Sequence, residues 1–268
     1  MKTRSDEAKM GTLTVSRKLA GRFFACSAMA LAFAAQSPET HAETLYANNF
    51  ETAVDAGWSS LTGRTLGINR TPNGQGFLGW AGSTQTLNGV SHESLMLTTA
   101  VPRPGLVRVD FDLYLINSWD GNSSFYGPDI FQVTMEGSAP KLRATFANVA
   151  GLTQTYPGNL NNGAATINNP SKTGASEINA LDYLPLTISG DAVYRFSFDA
   201  AVSDGVLNFS VQDFSTGAGL PDESWGLDNM RVTEVPEPDS LLLFTIALAL
   251  MKGISIAARM KRSTSSEP

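Results

Sequence analysis

Between Leu106 and Ile116 the chain alternates without a break. Val107, Val109, Phe111, Leu113 and Leu115 fall on one side, and Arg108, Asp110, Asp112 and Tyr114 on the other. Successive side chains of a strand point to opposite faces, so this stretch predicts a strand with one buried and one solvated face. The same period of two recurs at Phe131, Val133 and Met135, at Leu142, Ala144 and Phe146, at Tyr194, Phe196 and Phe198, and at Leu207, Phe209 and Val211. Weaker strands are expected at Leu45–Phe50, Glu93–Thr98 and Leu227–Thr233, with Gly, Asn, Pro and Ser clusters between them. The segment Gly158–Ala180, rich in Asn, Gly, Thr and Ser, reads as an exposed loop. About ten short strands with one polar face each, and no helical period before residue 235, predict an all-β chain: a two-sheet antiparallel β-sandwich.

Both ends of the chain break this pattern. Met1 to Arg22 carries six basic residues against Asp6 and Glu7, and Phe23–Ala35 is an apolar run too short to span a bilayer. Thr40-His41-Ala42 then offers small residues for cleavage before Glu43. Residues 1–42 are therefore expected to be a signal peptide rather than a short buried helix. Cys26 opens the apolar run instead of closing it, which argues against a lipid anchor.

At the other end, Val235-Pro236-Glu237-Pro238 stops any preceding strand, since proline fixes φ and lacks a donor. An apolar run from Leu241 to Met251 follows, then Lys252, a second apolar piece Gly253–Ala258, and the basic residues Arg259, Lys261 and Arg262. A helix from Leu241 to Ala258 would rise roughly 27 Å, close to the ~30 Å hydrocarbon core. Basic residues at its far end favour the cytoplasmic side, leaving 263–268 as a short internal tail. Lys252 costs about 2.5–3.5 kcal/mol at a helix centre, partly relieved by snorkelling. The plain alternative is an amphipathic helix packed on a soluble domain.

The order Val-Pro-Glu-Pro, apolar helix and basic end, over residues 235–262, resembles the PEP-CTERM sorting signal of Gram-negative surface proteins. The resemblance implies that Pro236-Glu237-Pro238 marks the site of an exosortase. It further implies transient residence in the inner membrane, then release to the cell surface or an exopolysaccharide matrix. Lys252 departs from the family, whose apolar segment is usually uncharged.

The working domain is then about 43–234, long enough for one sizeable core. It carries nine Lys and Arg against nineteen Asp and Glu, a net charge of −10. Nucleic-acid binding rewards clustered positive charge, so this domain is not built for it. It has no cysteine, and its stability must come from burial or a bound metal. His92 is its single histidine, which excludes a histidine-rich zinc site.

Three loops hold the polar chemistry: Ser118-Trp119-Asp120-Gly121-Asn122 with Gly127-Pro128-Asp129, Asp222 to Asn229, and Asn48-Asn49-Phe50-Glu51. Together they resemble jelly-roll domains of the concanavalin A-like and carbohydrate-binding-module type. In such domains the first and last strands often lie side by side, and an acidic pair near the termini holds a structural calcium. Carried over, that implicates Glu51 and Asp228, against the alternative of a solvated glutamate and a turn-capping aspartate. Asp120 and Asp129, flanking one loop, are a second candidate for Ca2+, with Asx-type turns as the alternative. Trp119 and Trp225 are candidates for stacking on sugar rings, or else bulky payload at the core margin.

Sandwich glycosidases that resemble this fold carry a Glu-x-Asp-x-x-Glu-like run on one strand, and none exists here. Asp110 and Asp112 share one strand face but sit with Arg108 and Tyr114, as a solvated polar face would. The expectation is an exported, non-catalytic sandwich, with polysaccharide binding, matrix structure and glycan-active catalysis as three readings in descending order.

Overall fold

A computed structural model describes residues 42–61, 63–81, 86–87, 90–91, 93–136, 139–160, 166–183, 189–214, 222–236, 248 and 251–253. The expected signal peptide apart from Ala42, and all but four residues of the apolar C-terminal segment, lie outside these residues. Among the described residues no helix is long and apolar enough to cross a membrane. The strands belong to one compact unit, Ala42–Glu237.

The first strands are β1 (Thr44–Asn48), β2 (Trp58–Ser60), β3 (Ile68–Arg70), β4 (Gly76–Ala81), β5 (Thr86–Leu87) and β6 (Val90–Ser91). The middle of the chain gives β7 (Ser94–Ala100), β8 (Gly105–Asn117), β9 (Ile130–Met135), β10 (Leu142–Thr145), β11 (Thr153–Gln154) and β12 (Asn169–Pro170). The last four are β13 (Glu177–Ile178), β14 (Asp191–Val202), β15 (Val206–Phe214) and β16 (Glu223–Glu234). Seven form one sheet in the order β13-β14-β8-β16-β4-β3, with β1 also on β16, five form the facing sheet, β10-β9-β15-β7-β2, and β11-β12 and β5-β6 pair apart from both. Each pairing is antiparallel, as the alternating patterns predict.

The alternation in β8 is what turns one face of the large sheet inward. Val107, Val109, Phe111, Leu113 and Leu115 are all buried in a core shared by the two sheets. Phe111 meets Phe209 of the facing sheet edge-on, ring centroids 5.3 Å apart, and Trp225 meets Phe131 at 5.1 Å. Edge-to-face pairs at this spacing add to the value of their area burial.

The strict two-faced reading of β8 fails in its second half. Tyr114, expected on the solvated face, is buried, and so is Ile116. They pack with Phe77, Leu181 and Val193 in a small second cluster on the outer side of the sheet. Part of the segment read as one exposed loop also joins the architecture, as β12 and β13. The first and last strands lie side by side: Asn48 pairs with Met230 and Ala47 with Arg231.

Phe111 contacts both sheets at the centre of this packing, so Phe111→Ala removes a ring that the backbone cannot collapse to replace. A loss of about 3–5 kcal/mol is expected, read as a lowered midpoint of denaturant unfolding at unchanged slope.

Candidate functional site

The long strand β8 ends at Asn117, whose φ of +69° turns the chain out of the sheet. Ser118 is then tied to the start of the last strand, its amide donating to the Asp222 carbonyl at 2.8 Å. Trp119 folds inward: it is 1% exposed, and its indole N–H donates to the Ser224 carbonyl at 2.9 Å. Asp120 makes an isolated antiparallel bridge with Ala147. Gly121, at φ +63°, packs so tightly that a Cβ would lie 2.2 Å from the Thr153 carbonyl oxygen. Only glycine meets both demands without strain.

The loop closes on itself at its base. The Asp120 amide donates to Asp129 Oδ2. The Asp129 amide donates to the Gly121 carbonyl at 3.0 Å, and Phe146 N–H to the Asp129 carbonyl at 3.1 Å. Asn122 pins the flank, donating to the Ile167 carbonyl at 2.8 Å and accepting from Thr145. At the tip, Ser123 Oγ accepts from the amides of Phe125 (3.2 Å) and Tyr126 (3.1 Å). Those two rings stand 82% and 61% exposed, edge-on to each other at 4.6 Å. An aromatic pair left in water on a stapled loop is unusual, because rings of this size dominate core energetics when they can be buried.

The base of the same loop is acidic. Asp120, Asp129 and Glu223 each place an oxygen within 4.8 Å of the others, and among the described residues they form the one such group of three. Asp120 follows β8, Asp129 precedes β9, and Glu223 opens β16 opposite Asn117, so both sheets contribute. Two full charges this far apart repel by roughly 3.5 kcal/mol at an effective dielectric of 20. Burial pushes the Asp129 carboxyl up to about 8, with the charge of Asp120 adding to the effect and the amides of Asp120 and Gly121 opposing it. Burial also raises Asp120, and Asp222 raises it further.

The other expected sites are placed differently. Glu51 Oε1 accepts from the Gly76 amide at 2.8 Å and Oε2 pairs with Arg70 at 2.9 Å, which together hold its carboxyl below the usual range. Asp228 Oδ2 accepts from the Tyr114 hydroxyl and Oδ1 from the Asn229 amide, both at 2.7 Å. The adjacency of the end strands holds, and these oxygens of Glu51 and Asp228 each accept from a protein donor. Trp225 is fully buried against Phe131. Neither it nor Trp119 has a face to offer a sugar. Asp112 lies 3.6 Å from Arg195 and accepts from Asn229, while Arg108 forks onto Asp199, so the acidic face of β8 is a set of ion pairs.

The chain matches no family model and no curated protein. Among solved structures it is similar to the Emp47p carbohydrate recognition domain, at 10% identity over 75% of this chain and 100% of that one, with a TM-score of 0.37. It is also similar to the K3 cleaved adhesin domain of Lys-gingipain from Porphyromonas gingivalis w83, at 12% identity over 72% and 98% of the two chains, with a TM-score of 0.31. Both neighbours are carbohydrate-recognition or adhesin domains. Likeness at this level assigns neither a ligand nor an activity.

A second acidic pair lies deeper. Asp213 accepts from the Glu93 amide at 2.6 Å, and Glu93 accepts from Ser60 and faces Arg64 at 3.6 Å. Burial pushes Asp213 up to about 7, against the opposing Glu93 amide. A carboxyl raised from about 3.9 in the unfolded chain keeps its proton on folding, so its contribution is full below pH ~4 and lost as pH climbs to 7. The stability lost over that window is on the order of 4 kcal/mol. Asp213→Asn should flatten the fall of melting temperature between pH 4 and 7, and an unchanged slope would contradict the assignment.

Proposed function

We propose that this chain is an exported, exosortase-processed protein of a Gram-negative cell surface or extracellular matrix, and that its sandwich binds polysaccharide without cleaving it. The observation that carries the binding half is the exposed Phe125–Tyr126 pair, held at the tip of a loop whose base is stapled at Asp120, Asn122 and Asp129. The C–H faces of a sugar ring suit a π surface, and a platform ordered before binding loses little entropy on engagement. The acidic domain surface suits a neutral or cationic polysaccharide better than a polyanion. Export rests on the leader of residues 1–42, and sorting on Val235-Pro236-Glu237-Pro238 ahead of the apolar run and its basic stop.

Binding is favoured over catalysis for a physical reason. Asp129, whose carboxyl burial pushes toward the neutral form, has no exposure to solvent and cannot reach a glycosidic oxygen. Glycoside hydrolysis needs two carboxylates flanking an accessible bond.

The double variant Phe125→Ala/Tyr126→Ala should weaken retention on an immobilised neutral polysaccharide by about tenfold, matching two lost ring contacts, while leaving the melting temperature unmoved. A wild-type chain that binds nothing across a glycan panel would instead favour a purely structural matrix role. The sorting half has a separate readout: mass spectrometry of protein recovered from cells should show an N-terminus near Glu43 and no peptide beyond Leu241. Recovered chain retaining residues 241–268 would overturn it.

A further inference from the structure

Three carboxylates converge at the loop base, and Asp129 Oδ1 among them has no N–H or hydroxyl donor among the described residues. Asp120, Asp129 and Glu223 bring their oxygens within 4.8 Å of one another. Independently of that spacing, Asp129 is 0% exposed and its Oδ1 accepts from no N–H or hydroxyl among the described residues, while the Glu223 side chain lies in contact with the Asp129 carboxyl. Its Oδ2 is already engaged by the Asp120 amide. A buried acceptor left without a donor is costly, and native proteins rarely tolerate one without an occupant.

We propose that Asp120, Asp129 and Glu223 bind one hard divalent cation with the size and coordination preferences of Ca2+. The donors are all oxygen, and residues 43–234 contain no cysteine, which rules against a soft metal. Three carboxylates supply three to six of the six to eight oxygens that Ca2+ takes, with carbonyls and water to complete the shell. Mg2+ is usually held by one or two carboxylates and keeps several waters, a poorer match to three converging ones. The cation would cancel mutual repulsion that no basic side chain in an ion pair with Asp120 or Asp129 relieves among the described residues. It would also join the segment after β8, the segment before β9 and the start of β16 at one point. The site does not depend on polysaccharide binding: a chain that ignored every glycan would still hold the ion.

The test uses the full chain, stripped with chelator and titrated with CaCl2 to about 10 mM, a range suited to extracellular calcium modules. Melting temperature should rise by roughly 5–10 °C at a hundredfold excess over Kd. The rise should disappear in Asp120→Asn and in Glu223→Gln and persist in Asp228→Asn. Asp120 is only half-buried, so its amide variant keeps the test meaningful if the Glu223 change impairs folding. Tb3+, a calcium-sized probe, should show indole-sensitised emission in the wild type that Ca2+ displaces. No thermal shift and no displaceable emission, as a buried water at Oδ1 would give, overturns the proposal. So does a shift that survives both the Asp120 and Glu223 changes but vanishes in Asp228→Asn, since that places the ion at the chain-end pair instead.

Discussion

Two sheets of this size stay together only while the aromatic seam between them stays dry. Phe111 against Phe209 and Trp225 against Phe131 span the gap at 5.3 and 5.1 Å, and Trp58 closes the other flank on Phe209 at 6.4 Å. Apolar burial is worth roughly 25 cal/mol per Å², and rings of this size each remove 150–250 Å² from water. The rest of the molecule is arranged around keeping that seam closed. β8 lies at its centre, flanked by β14 on one side and β16 on the other, so a single thirteen-residue strand supplies five of the buried side chains.

Closing the seam has a consequence at the ends of the strands. Where β8 stops, the chain must cross toward the facing sheet, and the polar groups that cross with it cannot all reach water. Asn148 shows the ordinary solution, donating to the carbonyls of Leu115 and Asn117 at 3.0 and 3.2 Å. Asp129 shows the other: it is drawn into the mouth of the sandwich by its bonds to Asp120 and Gly121, and burial then forces its carboxyl toward the neutral form. The same bonds that bury Asp129 hold the loop still and leave Phe125 and Tyr126 in solvent. Burial at the base and exposure at the tip are two results of one crossing.

The period of two made the strands legible, because alternation is a local property that any half-buried strand must show. It could not say which outer faces another part of the chain would cover. Tyr114 and Ile116 look like the end of a solvated face until Leu181 and Val193, well over sixty positions on, pack over them. Asp120 and Asp129 could be paired on sequence because one short loop joins them. Glu223 could not: only the pairing of β16 with β8 sets it opposite Asn117. Of the two readings open for Trp119 and Trp225, the fold gives burial, and Trp119 is drawn inward by a buried acceptor, the Ser224 carbonyl. Phe125 and Tyr126 left no periodic signal, and exposure is a property that only the folded loop reveals.

Disulfides commonly secure such crossings in secreted domains, and residues 43–234 of this chain hold no cysteine. What it has in their place is charge of one sign brought to a single point from both sheets. Left to itself, that arrangement opposes the fold, since three carboxylates this close resist being ionised together. Burial favours the neutral form of the Asp129 carboxyl, and a proton there relieves the repulsion partly. A divalent cation would relieve it at any pH at which the carboxylates ionise, and would pull together the segments that the repulsion pushes apart. For a domain without cysteine between residues 43 and 234, carboxylates gathered around a cation at the strand ends would be the cross-link that the composition permits.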